Sequence, residues 1–333
     1  MELILVGLVL AGLIVVANLF ASRGSQAEMA VFRWFLFALN LLLLLVGLGL
    51  FLTPATFWEE LIRESSEQVI NAENLKAMGP AVIFMAFWGM AASLAPIQKL
   101  LARRMPLQPG SPVHTLALVL AGYLIGATLL ALSQGGLEAL AESSESASIA
   151  SLVLQGLFFV TLGFLGVGLF VRRDGRQLLK RLGLERPTLS QLYQGVRWIL
   201  LLLLLQFIAG VLFTWLNPEQ ATTVEDINSV LLQDFDTVGE WLVLALVAGI
   251  SEEILFRGAL QPIFGLWFTS ILFAVVHVQY GLTPVTVFVV ILAVLLGLIR
   301  RRTNTTIAIF VHAGYNFVLG LLALLAVYLE QFV

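Results

Sequence analysis

Ten stretches of this chain are long apolar runs, near 3–20, 32–53, 81–97, 115–132, 150–171, 198–216, 241–260, 265–280, 284–299 and 305–329. A helix needs about 20 such residues to cross a bilayer, so this one feature closes most architectures. Barrel strands alternate apolar and polar residues, whereas Leu41-Leu42-Leu43-Leu44-Leu45 does not alternate. The expected fold is an all-α polytopic membrane protein with about ten transmembrane helices. Composition agrees, with 59% apolar and 12% charged residues against roughly 25% charged in soluble domains. A net charge of −3 gives no reason to expect nucleic acid. The absence of Cys excludes disulfides, thiolate metal sites and a Cys nucleophile. No basic residue precedes the first run, which therefore reads as a retained span and not as a cleaved signal.

The connections carry an orderly charge pattern. Arg23 and Arg33, then Lys99, Arg103 and Arg104, then Arg172, Arg173, Arg176, Lys180, Arg181, Arg186 and Arg197, and finally Arg300, Arg301 and Arg302 fall in alternate connections. The intervening connections are acidic: Glu59, Glu60, Glu64, Glu67 and Glu73; Glu138, Glu142 and Glu145; Glu219, Glu225, Asp226, Asp234 and Asp236. With Arg257, sixteen of the eighteen basic residues fall on one side, and Arg63 and Lys76 on the other. Lys and Arg mark the cytoplasmic side, so both termini are expected outside, in a prokaryotic plasma membrane. Segment 172–197 interleaves Leu178, Leu179, Leu182, Leu184 and Leu192 with cations. It suits either a helix on an anionic leaflet or a basic loop that sets topology. Gly122-xxx-Gly126 suits close helix approach within the chain, and His114 reads as an interfacial loop residue.

Ionisable side chains cost at least ~2.5–3.5 kcal/mol near the bilayer centre and so tend to mark function. Runs before residue 240 have almost none. The seventh contains Ser251-Glu252-Glu253-Ile254-Leu255-Phe256-Arg257, the eighth leads to Phe273-Ala274-Val275-Val276-His277, and the last holds His312-Ala313-Gly314-Tyr315-Asn316. Positions i and i+4 share a helix face, which pairs Glu253 with Arg257. Glu252 points elsewhere, without a partner on that face. A lone desolvated carboxylate has a raised pKa, as a general base working near neutrality requires.

The ordered set Glu-Glu-x-x-x-Arg, Phe-x-x-x-His and His-x-x-x-Asn resembles the CPBP family of intramembrane proteases, which spans type II CAAX prenyl proteases and bacteriocin-processing, Abi-like proteins. The resemblance covers roughly 237–325 and divides the chain into an N-terminal transmembrane region, 1–197, and a protease domain, 198–333. It implies hydrolysis of a membrane-associated peptide, such as a CAAX-type tail or a leader peptide. Glu252, His277, His312 and Asn316 would be catalytic, with Glu253, Arg257 and Phe273 in support. The residue types fit such chemistry by themselves. Glu252 with His277 makes a water-activating pair, and His312 with Asn316 offers N–H donors to an oxyanion. Counted at 1.5 Å per residue, these four residues fall in the middle half of a ~30 Å core, within reach of one cavity.

Glu252, His277 and His312 would also suffice as ligands for a divalent metal such as zinc. A metal-free glutamate mechanism would use the same residues, and His-Glu-x-x-His spacing is absent. Ser251 and Ser270 lack a Gly-x-Ser-x-Gly context, and no Asp falls inside a run. A proton- or ion-coupled transporter would also place Glu, His and Arg in the membrane. A catalytically silent bacteriocin-immunity protein would keep the fold. Substrate identity and oligomeric state are not legible. The charge pattern predicts that reporter fusions after Arg104, Arg186 and Arg302 read as cytoplasmic, and those in 59–76, 138–147 and 219–236 as external. One reversal would defeat the assignment.

Overall fold

The computed structural model describes residues 2–64, 71–133, 135–144 and 146–332; Glu67 and Glu145 of the acidic connections lie outside the described residues. In chain order the helices are α1 (Glu2–Arg23), α2 (Gln26–Leu52), α3 (Ala55–Glu64), α4 (Ala72–Ser93), α5 (Ala95–Leu101), α6 (Pro112–Ser133), α7 (Gly136–Ser143) and α8 (Ile149–Gly166). There follow α9 (Gly175–Leu182), α10 (Leu189–Leu216), α11 (Pro218–Leu232) and α12 (Val238–Glu252). A π-helical segment, Glu253–Leu260, joins α12 to α13 (Gln261–Val275). A 3-10 turn, Val278–Tyr280, precedes α14 (Pro284–Arg302) and α15 (Thr305–Glu330). The described residues contain no β-strand. The protein is an all-α polytopic membrane protein.

Nine helices among the described residues are long and apolar enough to cross a membrane. The count falls below ten because the runs at 241–260 and 265–280 lie in one helical stretch, Val238–Val275, of 38 residues. Straight, it would reach nearly 60 Å, about twice the hydrocarbon core. It is not straight. Gly265 adopts φ 78 and ψ 179, a conformation essentially confined to glycine, and the chain reverses there. Phe256 and Phe273 would stand about 25 Å apart on one straight helix, yet their ring centroids are 5.0 Å apart. The two runs are the arms of a helical hairpin.

Two other boundaries differ from the apolar runs. The third span is α4, at 72–93 and not 81–97, because Asn71 caps it, accepting from the Asn74 amide at 2.6 Å. The basic segment 172–197 does not form one helix. Asp174 and Gln177 close a capping box at the start of α9, left-handed Gly183 ends it, and Thr188 with Gln191 caps α10. Arg197 therefore belongs to a spanning helix.

The chain divides into two compact units, one of residues 1–16, 143–274 and 282–333, the other of 17–142 and 275–281. In the second, α2, α4 and α6 pack together around buried amides. Tyr123 Oη donates to Asn40 Oδ1 at 2.9 Å, and Gln98 Nε2 donates to Thr115 Oγ1 at 2.9 Å. Gly122 faces Trp88 and Gly126 faces Met85, so this pair serves internal packing. His114 Nδ1 accepts from the Gln108 amide at 2.9 Å, at the start of α6.

The first unit holds the Glu-Glu helix and the His-Asn helix. Thr237 and Glu240 form a capping box that starts α12, and buried Asn304 caps α15 through the Ile307 amide at 3.0 Å. Leu202, Leu296, Ile307, Val311 and Tyr315 form a core among α10, α14 and α15. A second apolar cluster, Val167, Leu178, Leu182, Ile254 and Ala259, fastens α9 beneath the π segment. Helices α12 and α15 approach so closely at Gly249 that a Cβ there would stand 2.9 Å from the Ala313 backbone nitrogen. Gly249→Ala is accordingly expected to lower stability by about 1–3 kcal/mol, the usual cost of overpacking. Gly210→Ala, where a Cβ meets nothing within 4 Å, should leave it unchanged. Thermal unfolding in detergent distinguishes the two.

Candidate active site

An eight-residue π segment departs from ordinary helical geometry, and such departures are frequent at functional sites. Here it carries Glu253 and Arg257, whose side chains are wholly buried. Arg257 Nε lies 3.2 Å from Glu253 Oε2, so the pair read from the i, i+4 spacing forms. The second carboxylate oxygen of Glu253 goes to a residue the spacing could not indicate. His312 Nδ1, from α15, stands 3.1 Å from Glu253 Oε1. An ionised carboxylate can only accept hydrogen bonds, so Nδ1 must be the protonated ring nitrogen. Neutral His312 then presents a bare Nε2, which can donate only when the ring is doubly protonated.

Phe273 closes this cluster from the other arm of the hairpin. Its ring lies 4.9 Å from the Arg257 guanidinium carbon and 6.1 Å from the His312 ring, edge-on. A desolvated cation over an aromatic face gains about 2 kcal/mol or more. That gain matters because the nitrogens of Arg257 make no well-directed hydrogen bond among the described residues. The aromatic residue of Phe-x-x-x-His thus covers the ion pair.

Glu252 is placed differently from its neighbour. It remains partly accessible, while its Oε2 is buried with no hydrogen-bond partner among the described residues. Asn316 is half-buried one turn beyond His312. His277 sits just after α13, half-buried and stacked on Tyr280 with centroids 6.2 Å apart and planes 3° from parallel. It belongs to segment 275–281 of the second unit. Among the described residues no group of three or more His, Cys, Asp and Glu side chains stands in position to hold a metal ion.

Sequence reasoning missed the Glu253–His312 contact, for which only the rarity of membrane histidines gave a signal. It also missed Gln206 of α10, which accepts from Tyr315 Oη at 2.8 Å and steadies the His-Asn helix. No periodicity singles out that glutamine.

The fold and the buried cluster define an integral membrane protein whose ionisable residues gather between helices of its C-terminal part. Residues 234–318, which contain all seven candidate residues, match the Rce1-like family, described as type II CAAX prenyl endopeptidase Rce1-like. This agrees with the CPBP assignment made on the three motifs. A stretch of 80 residues is 36% identical to the "Uncharacterized protein YpbD" of Bacillus subtilis (strain 168), covering 23% of this chain. The chain spans 40% of that relative's length. No solved structure matches.

Removing one partner of a buried ion pair costs about 3–5 kcal/mol. Glu253→Gln and Arg257→Met should each lose stability of that order in detergent unfolding. The double variant should lose less than the sum, because neither charge is then stranded, and a coupling above about 1 kcal/mol is expected for contacting residues.

Proposed function

We propose that the protein is an intramembrane endopeptidase that hydrolyses a peptide bond of a membrane-associated substrate, such as a CAAX-type tail or a leader peptide. The observation that carries this reading is the contrast between two adjacent glutamates. Glu253 is committed to Arg257 and His312, whereas Glu252 keeps a buried oxygen without a hydrogen-bond partner among the described residues and a partly accessible side chain. A carboxylate so placed can accept a proton from water. The match of residues 234–318 to an endopeptidase family supports the same reaction class.

In this mechanism Glu252 takes a proton from water as the water oxygen attacks the scissile carbonyl carbon. The negative charge that develops on the carbonyl oxygen is met by the side-chain amide of Asn316. The Nε2–H of His312 joins it when that ring is doubly protonated. The proton held by Glu252 then passes to the leaving amine as the C–N bond breaks. Glu253 positions His312 by holding Nδ1–H, and Arg257 holds Glu253. The low-dielectric surroundings strengthen each of these interactions.

Glu252→Gln removes the base without disturbing the ion pair. It should fold like the wild type and lose cleavage by about a hundredfold or more, the range for a lost general base. An uncleaved membrane peptide should accumulate in the proteome of a cell carrying the variant. Substantial turnover by folded Glu252→Gln protein would remove Glu252 from the role.

A further inference from the structure

The basic end of the first unit gathers four arginines that the proposed reaction does not use. After α8 the chain makes a tight turn in which the Arg173 amide donates to the Gly168 carbonyl at 3.0 Å, and the Phe170 amide to the Arg173 carbonyl at 3.1 Å. Phe170 stands at its tip with φ 63 and is 89% exposed. The Arg173 guanidinium folds back onto the Val167 carbonyl. Arg181 reaches from α9 to the Gly258 carbonyl of the π segment at 3.0 Å, and Arg300 lies in the last turn of α14.

Arg173, Arg181 and Arg300 are half-buried, while Arg172 is exposed beside them. Burial pulls the Arg181 guanidinium down to about 10, and the charges of Arg173, Arg300 and Arg172 add to the shift. Arg173, on the Val167 carbonyl, and Arg181, on the Gly258 carbonyl, are anchored around one apolar cluster that contains Val167, Leu182 and Ala259, at the ends of helices where burial penalises a charge. The ion pairs among the described residues are Arg23–Glu28, Arg257–Glu253 and His312–Glu253, so no carboxylate neutralises this group. The nearest acid in sequence, Asp174, is occupied in capping α9, accepting from the Gln177 amide at 2.8 Å.

We propose that Arg172, Arg173, Arg181 and Arg300 form a binding site for a phosphate group, that of an anionic phospholipid headgroup. Arginine presents planar donors matched to phosphate oxygens. The cluster lies where a spanning helix leaves the hydrocarbon, and Phe170 offers an apolar anchor beside it. The site also adjoins the machinery. Helix α9 is tied to the π segment by Arg181, and to the start of α15 by Thr305, whose Oγ1 donates to the Leu182 carbonyl at 2.5 Å and whose amide donates to the Gly183 carbonyl at 2.9 Å. A phosphate held here braces the two elements that carry Glu253 and His312.

The test uses the full chain in detergent, mixed with equal amounts of phosphatidylglycerol and phosphatidylcholine and analysed by native mass spectrometry. The wild type should retain phosphatidylglycerol preferentially, and Arg172→Gln/Arg173→Gln/Arg300→Gln should abolish the preference. Arg103→Gln/Arg104→Gln, which removes basic charge from another connection, should keep it. Exposed Arg172→Gln alone folds without demand on packing and should lower the preference roughly fivefold, the worth of one basic residue near a charged headgroup. Inorganic phosphate separates the two sources of this chemistry. If it displaces the lipid, or raises the thermal midpoint of the wild type but not of the triple variant, the ligand is free phosphate. If it does neither while the lipid preference holds, the ligand is the lipid. Equal retention of both lipids with no response to phosphate, or equal loss in the triple variant and the 103/104 control, would overturn the site. None of these readouts depends on cleavage.

Discussion

A charge buried in a membrane-spanning segment must be neutralised where it stands, and Glu253 is that charge in this protein. Its two carboxylate oxygens are divided between Arg257, on its own segment, and His312, on α15. Neither bond would survive alone without stranding a polar group in low dielectric, where the penalty is several kcal/mol. The carboxylate therefore sets the approach of two helices. The rest of the site follows from it: the imidazole is held in one tautomer, Phe273 is drawn over the guanidinium, and α13 must fold back to deliver that ring.

The folding back is a matter of backbone. A stretch of 38 residues cannot cross a bilayer once without leaving it, and at Gly265 the chain uses a conformation that a Cβ would forbid. The π segment lies on the first arm, the covering phenylalanine on the second. With Glu253 engaged by Arg257 and His312, its neighbour Glu252 keeps a partly accessible side chain. Two carboxylates adjacent in sequence thus receive opposite environments, the arrangement by which one site can hold both a structural and a reactive acid.

The first two hundred residues use polar groups differently. Asn40, Gln98 and Thr115 are buried in the second unit and satisfied by other side chains or by carbonyls. They join helices in a medium that offers no hydrophobic drive between them. The basic end of the first unit is a third use of charge, since Arg173 and Arg181 rest on backbone carbonyls and pair with no carboxylate among the described residues.

Much of the fold was legible because lipid is a severe solvent. Run length located most of the spans, though not the bounds of α4 or the joining of α12 to α13, and the absence of alternation excluded a barrel. The Glu253–Arg257 pair was legible because a helix repeats locally, and the three motifs stood out because ionisable residues are rare in such runs. What stayed hidden was non-local. Nothing in spacing says that His312 meets Glu253 and not Glu252, since that depends on the close approach of α12 and α15 at Gly249. Nor does it say that the runs at 241–260 and 265–280 lie back to back, or that Gln206 steadies Tyr315. The sequence by itself determined which residues could not be left unpaired in a membrane. Only the tertiary structure decided which partner each received, because pairing is settled by the packing of helices distant in sequence and local periodicity carries no record of it.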